Sequence, residues 1–167
     1  MTSRSNASDS ARAAMDAALR LLSVRARSRR ELKLALARKG FAESQQDSVL
    51  SRLTELSYID DARFARDRAS ALLRNGKLGP RAVLQRLCAH GLTEDEAKQA
   101  LAEAERALGL DPLATARSLL ERRGLSGRPL PLKEQAKAAR LLRARGFADG
   151  TIEQLLGAEL DLGPQDG

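Results

Sequence analysis

The chain has 167 residues, which is enough for one compact domain or a few small ones. Apolar residues make up 43% of the sequence but aromatic residues only 2%, so its core must be built mainly from Leu and Ala. Such residues suit contacts between helices, and no strand-like alternation is sustained anywhere, which together predict an all-α protein. No apolar run approaches the ~20 residues of a membrane span, and the polar N-terminus lacks the apolar core of a signal peptide. We therefore expect a cytoplasmic protein that does not enter a membrane.

The formal net charge of +7 favours a polyanionic partner such as DNA, although a solvated basic surface would give the same composition. Cys88 and His90 are the only residues of their types, so the sequence excludes an intramolecular disulfide and a Cys/His zinc site. We interpret Cys88 as a small, half-buried apolar residue and His90 as a residue that interacts with a helix end. No nucleophile–base motif and no phosphate-cradling loop occurs. This pattern indicates a binding protein without catalytic activity, cofactor or metal.

The first predicted unit, residues 12–59, begins with an amphipathic helix after a polar tail, residues 1–11, that we expect to be disordered. Ser28 and Glu31 have the spacing of a capping box and predict the start of a second helix. Gly40 ends that helix, because glycine tolerates the left-handed conformation of a helix end. A third helix with Val and Leu at helical spacing completes the unit.

The second predicted unit, residues 60–110, carries the clearest helix boundaries. They are marked by residues that start or stop helices: Asp60 or Asp61, Asn75-Gly76, Gly79-Pro80, Gly91, and Thr93 with Glu96. The adjacent carboxylates of Asp60 and Asp61 could also form a metal site or an acid–base pair. We favour a helix cap followed by a first-turn acid, because these two roles account for both residues without further chemistry.

The third predicted unit, residues 111–161, starts a helix at Asp111-Pro112. An irregular link then leads to a second helix that Gly146 ends. A last helix precedes the tail, residues 162–167, which we expect to be frayed.

The glycines that end the three second helices align the chain with itself. Gly40 and Gly91 are 51 residues apart, and Gly91 and Gly146 are 55 apart. A leucine precedes each glycine by four positions: Leu36, Leu87 and Leu142. We interpret the chain as three tandem three-helix repeats, the architecture of a small solenoid, and expect these leucines to be buried. The alternative is a single nine-helix globule with accidental periodicity.

Charge follows the same repeat. The first two helices of each unit are basic, with net charges of +7, +6 and +7 over residues 20–39, 63–86 and 117–145. The third helices are acidic, with net charges of −2, −4 and −4 over residues 41–56, 92–105 and 147–161. The sequence therefore predicts that a polyanion would meet the first two helices of each repeat.

The short turn before each third helix is similar to a helix-turn-helix, in which the later helix enters the major groove. Phosphates would repel the acidic third helices, so we expect no sequence-specific readout of DNA. Any DNA binding should occur through phosphate contacts of the first and second helices. Lys133, Lys137 and Arg140 lie at i, i+4 and i+7 on one helical stripe and are candidates for such contacts.

Five segments resemble, in order and spacing, the RecX family of bacterial regulators of the RecA recombinase: SRRELKLALARKGF at 28–41, YIDDARFA at 58–65, GPR at 79–81, LCAHGL at 87–92 and RLLRARGF at 140–147. The resemblance covers about residues 13–160. It implies three tandem three-helix repeats in an elongated, curved arrangement. It also implies a non-enzymatic protein that binds the RecA filament on DNA and usually restrains ATPase, strand exchange and co-protease activity.

The resemblance also suggests which residues contact the filament, namely those around the turn of the second unit: Arg68, Arg74, Lys77 and Arg81. The chain departs from the family pattern nearby. Leu72 stands where the family often has an arginine, Ala82 where a basic residue is usual, and Arg86 where an acidic residue is common. These departures concern the individual contact residues and not the fold.

Two other functions remain compatible with the sequence. One is a non-specific DNA-binding protein whose basic faces follow phosphates, and the other is a helical scaffold for a different acidic protein. The partners implied by the resemblance are the RecA filament and, through phosphate contacts, DNA. We expect the protein to be a monomer.

Overall fold

The computed structural model describes the backbone of residues 3–160 and the side chains of residues 9–157. Within this range the chain forms nine α-helices and no strand. Their bounds are α1 Ser3–Val24, α2 Arg29–Arg38, α3 Glu43–Glu55, α4 Asp61–Arg74, α5 Pro80–Ala89, α6 Glu94–Leu108, α7 Pro112–Glu121, α8 Leu132–Ala144 and α9 Asp149–Leu160. In this part of the chain no helix has the length and apolar character that crossing a membrane requires. The prediction of an all-α fold is confirmed.

Each group of three consecutive helices encloses its own hydrophobic core. One core lies within α1–α3, a second within α4–α6 and a third within α7–α9. Leu36, Leu87 and Leu142 are fully buried, one in each core, as the alignment of the repeats predicts. Three separate cores fit tandem repeats and not a single nine-helix globule.

The second helix of each repeat ends in the same way. The glycine that follows it has a positive φ in all three repeats: 86° at Gly40, 91° at Gly91 and 82° at Gly146. In the first repeat the amide of Phe41 donates to the carbonyl oxygen of Leu36 at 3.3 Å, and the equivalent bond in the third repeat measures 3.1 Å. This bond brings the apolar residue after the glycine against the leucine before it. The repeated column of leucine and glycine in the sequence is therefore the mark of a repeated helix end.

The residues predicted to start helices cap them. A side-chain oxygen accepts a hydrogen bond from an amide of the first turn at Ser28, Asp60, Thr93 and Asp111. The capping box of Thr93 and Glu96 is formed in both directions. The box predicted for Ser28 is only half formed, because the carboxylate of Glu31 turns away toward Arg25.

The structure differs from the sequence-based prediction at the beginning of the chain. α1 begins at Ser3, whereas the sequence predicts disorder through residue 11. No Gly or Pro interrupts residues 3–12, so the helix that packs through the buried Ala14 and Ala18 extends toward the N-terminus without a stop signal. The tail predicted to be frayed, residues 162–167, lies outside the described residues.

Candidate nucleic-acid and protein interface

The basic residues that the sequence analysis selects are all exposed: Arg68, Arg74, Lys77, Arg81, Lys133, Lys137 and Arg140. Two of them contact another repeat or helix through their side chains, Arg68 at His90 and Arg81 at Asp149. The other five form no ion pair with a carboxylate in the described part of the chain. These five cations are therefore available to an external anion.

Three of the five share one face of α8. The opposite face buries Ala138 and Leu142 in the third core, so Lys133, Lys137 and Arg140 point toward solvent. A row of cations on an exposed helix face can follow a line of phosphates.

The other two, Arg74 and Lys77, lie at the end of α4 and in the connector to α5. A side chain of the third repeat holds this connector in place, since Arg122 Nη2 donates to the carbonyl oxygen of Gly76 at 2.7 Å. Leu78, the residue before Gly79, is buried. The connector therefore holds Arg74 and Lys77 on an ordered surface rather than on a free loop.

Repeats 1 and 2 meet at what we call the first junction. The hydroxyl of Ser28, at the start of α2, donates to the carbonyl oxygen of His90, at the end of α5. The amide of Arg29 donates to a carboxylate oxygen of Asp61 at 2.7 Å. Burial raises the pKa of Asp61 against the opposing effect of this hydrogen bond. Asp61, which the sequence analysis interprets only as a first-turn acid, thus joins two repeats.

The side chain of His90 lies at the centre of the first junction. Arg68 Nε donates to His90 Nε2 at 3.2 Å, so the ring carries its proton on Nδ1, which donates to Glu31 Oε1 at 2.9 Å. Arg25 Nη1 donates to the other carboxylate oxygen of Glu31 at 2.9 Å. Arg25, Arg68 and His90 also line a cleft of about 440 Å³ between the two repeats. Arg68 therefore supports the junction and is not purely a surface cation.

Glu31 is the most strongly perturbed acid of this junction. Burial opposes its ionisation, but the hydrogen bonds from Arg25 and His90 and the charge of Arg25 outweigh burial and lower the pKa of Glu31 from 4.5 to about 2. Only 17% of the Glu31 side chain is exposed. The first junction therefore contains a carboxylate that is ionised in the folded protein well below its ordinary range.

Repeats 2 and 3 meet at the second junction, which is made mainly by the backbone. The amide of Gly79 donates to the carbonyl oxygen of Arg145 at 2.7 Å, and the amide of Arg81 donates to that of Gly146 at 3.0 Å. Arg81 Nη1 lies 3.3 Å from Asp149 Oδ2. The start of α5 thus lies against the end of α8, and Arg81 has a structural role besides the contact predicted for it.

The acidic third helices neutralise part of the basic surface. Ion pairs join a first or second helix to the third helix or its start: Lys33 with Glu43 and Asp47, Arg66 with Glu103, and Arg143 with Asp149. These cations face their own repeat and are less available to a partner. The opposite charges of neighbouring helices therefore serve the packing of each repeat as well as any external contact.

Sequence reasoning did not find the residues that join the repeats: Glu31, Asp61, His90 and Asp149. Glu31, Asp61 and His90 lie at predicted helix starts or ends, where a local role is sufficient to explain them. Asp149 lies just before the last predicted helix and carried no prediction. One departure from the family pattern has a structural explanation, because Leu72 is buried in the second core.

Similarity to known proteins agrees with this fold. Two RecX family models match the chain, the first three-helix domain at residues 14–53 and the second three-helix domain at residues 60–101. Regulatory protein RecX of Halorhodospira halophila is 36% identical over 143 residues, which is 86% of this chain and 86% of that protein. Regulatory protein RecX of Mycolicibacterium smegmatis is 32% identical over 155 residues, which is 88% of this chain and 79% of that protein.

A solved structure extends the similarity to three dimensions. The crystal structure of RecX from Lactobacillus salivarius superposes with a TM-score of 0.77 at 23% identity, over 93% of this chain and 99% of that one. At this identity the superposition shows the shared fold, and the sequence relatives show the family. The protein belongs to the RecX family of regulatory proteins.

Proposed function

We propose that this protein regulates the RecA recombinase by binding the RecA filament on DNA, and that it restrains ATPase, strand exchange and co-protease activity. Membership in the family of regulatory RecX proteins, over most of the chain, carries this proposal. The protein is cytoplasmic, has no catalytic activity or cofactor, and is a monomer in dilute solution.

The surface of the molecule supports the proposal. Exposed cations lie in two of the repeats, at Arg74 and Lys77 in the second and along α8 in the third. Contacts between the repeats hold these two groups of cations in a fixed arrangement. Once one group has bound the filament, the other is held close to it, so two weak attachments together give a stronger one. The filament, with its bound DNA, offers a repeating series of anionic groups to such a surface.

The test is the DNA-dependent ATPase activity of the cognate RecA with increasing amounts of this protein. We expect inhibition by the wild-type protein and a shift of the inhibition curve to about tenfold higher concentration for Arg74→Glu with Lys77→Glu, because two exposed charges at an interface are reversed. Arg81 is left unchanged because it supports the second junction. The matched control is Arg106→Glu, which reverses an exposed arginine on α6.

Two results would contradict the proposal. One is a folded protein that neither binds the filament nor alters its ATPase activity. The other is an equal shift for Arg106→Glu and for the double variant, which would show a general effect of net charge instead of a specific surface.

The stripe on α8 favours a second candidate function, non-specific DNA binding. Reversal of Lys133, Lys137 and Arg140 to Glu should reduce binding to DNA without RecA, and wild-type binding should weaken steeply with salt because counterion release drives it. The control is Glu153→Lys on the acidic α9, which should leave binding unchanged or strengthen it. If the α9 reversal abolishes binding, the basic faces are not the DNA-binding surface.

A further inference from the structure

The two junctions share one arrangement of helices. In each, the start of a second helix lies against the end of the second helix of the following repeat: α2 against α5, and α5 against α8. We call the connector before a second helix, with the first turn of that helix, the docking segment. We call the first helix of a repeat, with the end of its second helix, the receiving surface. Three repeats contain three docking segments and three receiving surfaces, and the two junctions use only two of each.

No part of the chain that the structure describes covers the receiving surface of repeat 1. A Cβ at Gly40 would have no atom within 4 Å, whereas a Cβ at the equivalent Gly91 would meet the side chain of Arg30 from the docking segment of repeat 1 at 2.5 Å. A cleft of about 470 Å³ lies beside Gly40 and is lined by Ala13, Ala17, Arg20, Leu21, Lys39 and Phe41.

The cleft of repeat 1 corresponds to the cleft of about 440 Å³ in repeat 2. When its six lining residues are moved by one repeat of 51 positions, four of them become Phe64, Arg68, Ala71 and His90, which line the cleft at the first junction. That cleft is also lined by Arg25 and Ala26 of the docking segment of repeat 1. The cleft of repeat 1 therefore has the position of a receiving surface without its docking segment.

Among the described residues, none covers the docking segment of repeat 3 either. Leu132, the first residue of α8, is 80% exposed. Arg128 and Glu134 form an ion pair of 2.8 Å, and the equivalent pair in repeat 1, Arg25 and Glu31, has the same spacing in sequence and a distance of 2.9 Å. The docking segment of repeat 3 thus contains the same ion pair as the docking segment of repeat 1, which is bound to repeat 2.

The charges of the two free surfaces complement each other. At the first junction Glu31 meets His90. Glu134 has the position of Glu31 counted from the start of the second helix, and Lys39 has the position of His90 counted from the glycine that ends it. At the second junction Arg81 meets Asp149. The equivalent residues there are Lys133 and Glu43, and 78% of the Glu43 side chain is exposed. The charged side-chain positions of each internal junction therefore carry an oppositely charged pair at the free ends, whereas Pro131, in the place of Ser28 and Gly79, offers no hydrogen-bond donor.

We propose that the docking segment of repeat 3 binds the receiving surface of repeat 1 of a second copy of this chain. The contact is heterologous, since two different surfaces meet, and it leaves one free surface at each end of the dimer. Further copies add in the same direction and give short head-to-tail chains. The contact is weaker than the internal junctions, because the chain no longer tethers the two surfaces.

Cross-linking between single-cysteine proteins tests this geometry. Lys133→Cys and Glu43→Cys are each made in a Cys88→Ala background. The two proteins are mixed at about 0.1–1 mM, the range in which a contact between separate chains should begin to form, and are treated with a short bismaleimide. We expect mixed dimers in several-fold excess over the dimers formed by either protein alone. The positive control is Arg81→Cys with Asp149→Cys in one chain, which should link internally because backbone bonds hold the second junction.

The negative control is a mixture of Lys133→Cys with Arg106→Cys, since Arg106 is exposed on α6, outside both surfaces. Equal yields from this mixture and from the test mixture would overturn the proposal. Protection of the cysteine at position 43 by RecA filaments, without mixed dimers, would also overturn it and would assign the receiving surface to a partner protein. These readouts need no RecA activity, so their failure leaves the proposed function standing.

Charge reversal tests the complementarity independently. In sedimentation velocity, the wild-type protein should show a sedimentation coefficient that rises with concentration, and Lys39→Glu and Glu134→Lys should each abolish the rise. An equimolar mixture of the two variants should restore dimers, because Glu134 of the first variant meets Lys39 of the second, and the reversed pair forms between their other two surfaces. A wild-type protein that stays monomeric over the same concentrations, or a mixture that stays monomeric, would overturn the proposal.

Discussion

At the first junction side chains join the repeats, whereas at the second junction the backbone does. The first depends on the Ser28 hydroxyl, the Asp61 carboxylate and the pair of Glu31 with His90. The second depends on two amide-to-carbonyl hydrogen bonds, which form because Gly79 and Gly146 let the two backbones approach closely. The first junction should therefore be sensitive to protonation, and the second junction should be the more sensitive of the two to added volume.

The largest effect should come from adding volume at the second junction. A Cβ at Gly79 would lie 2.6 Å from backbone atoms of Gly146 and Phe147, which cannot move aside without breaking the junction. We expect Gly79→Ala to lower the free energy of unfolding by about 3 kcal/mol, measured by urea unfolding followed by circular dichroism. Gly150→Ala is the control, because a Cβ there meets nothing within 4 Å. A loss no larger than that of the control would mean that the close approach is not required.

A comparison of Gly40→Ala with Gly91→Ala separates the effect of added volume at the first junction from the effect of backbone strain. Gly40 and Gly91 both have a positive φ, so alanine strains the backbone at each. Only at Gly91 does the new Cβ also collide with Arg30. Gly91→Ala should therefore destabilise the protein by about 2 kcal/mol more than Gly40→Ala, measured by the same unfolding experiment. Equal losses would show that the first junction yields to the added methyl group.

Acid should weaken the first junction through Glu31. Because folding lowers the pKa of Glu31, its stabilisation is present above pH 4.5 and is lost as the pH falls toward about 2. We expect this loss to be on the order of 1–2 kcal/mol, after allowing for solvent around the half-exposed Arg25. Stability measured against pH for Glu31→Gln should be lower at neutral pH and should fall less steeply in this window. Glu153→Gln, on the exposed side of α9, should leave the pH dependence unchanged.

The smallest effect should come from the Ser28 hydroxyl. Ser28→Ala removes a helix cap and the hydrogen bond to the His90 carbonyl oxygen, whereas Asp60→Ala removes a cap alone. We expect Ser28→Ala to cost about 1 kcal/mol more than Asp60→Ala in the same unfolding measurement. If the two variants lose the same stability, the inter-repeat hydrogen bond contributes nothing net.

The sequence by itself determined the parts of this protein that depend on near neighbours. Helix starts at Asp60, Thr93 and Asp111 follow from side chains that cap the next turn, and the buried Leu36 follows from helical spacing and the glycine after it. The beginning of α1 is the exception. The polar residues 3–12, which the sequence predicts to be disordered up to residue 11, contain no Gly or Pro that would stop a helix, and α1 begins at Ser3.

The tertiary structure alone decided how the repeats meet. Glu31 and His90 are 59 positions apart, and Gly79 and Gly146 are farther apart still, so no local pattern could pair them. Each of these residues already has a sufficient local role at a helix end, which hides its second role from the sequence. Which exposed cations remain available was decided in the same way, since Arg81 is held by Asp149 from the following repeat. Local rules fix helices because their hydrogen bonds are local, whereas contacts between repeats depend on where three separately packed cores place their ends.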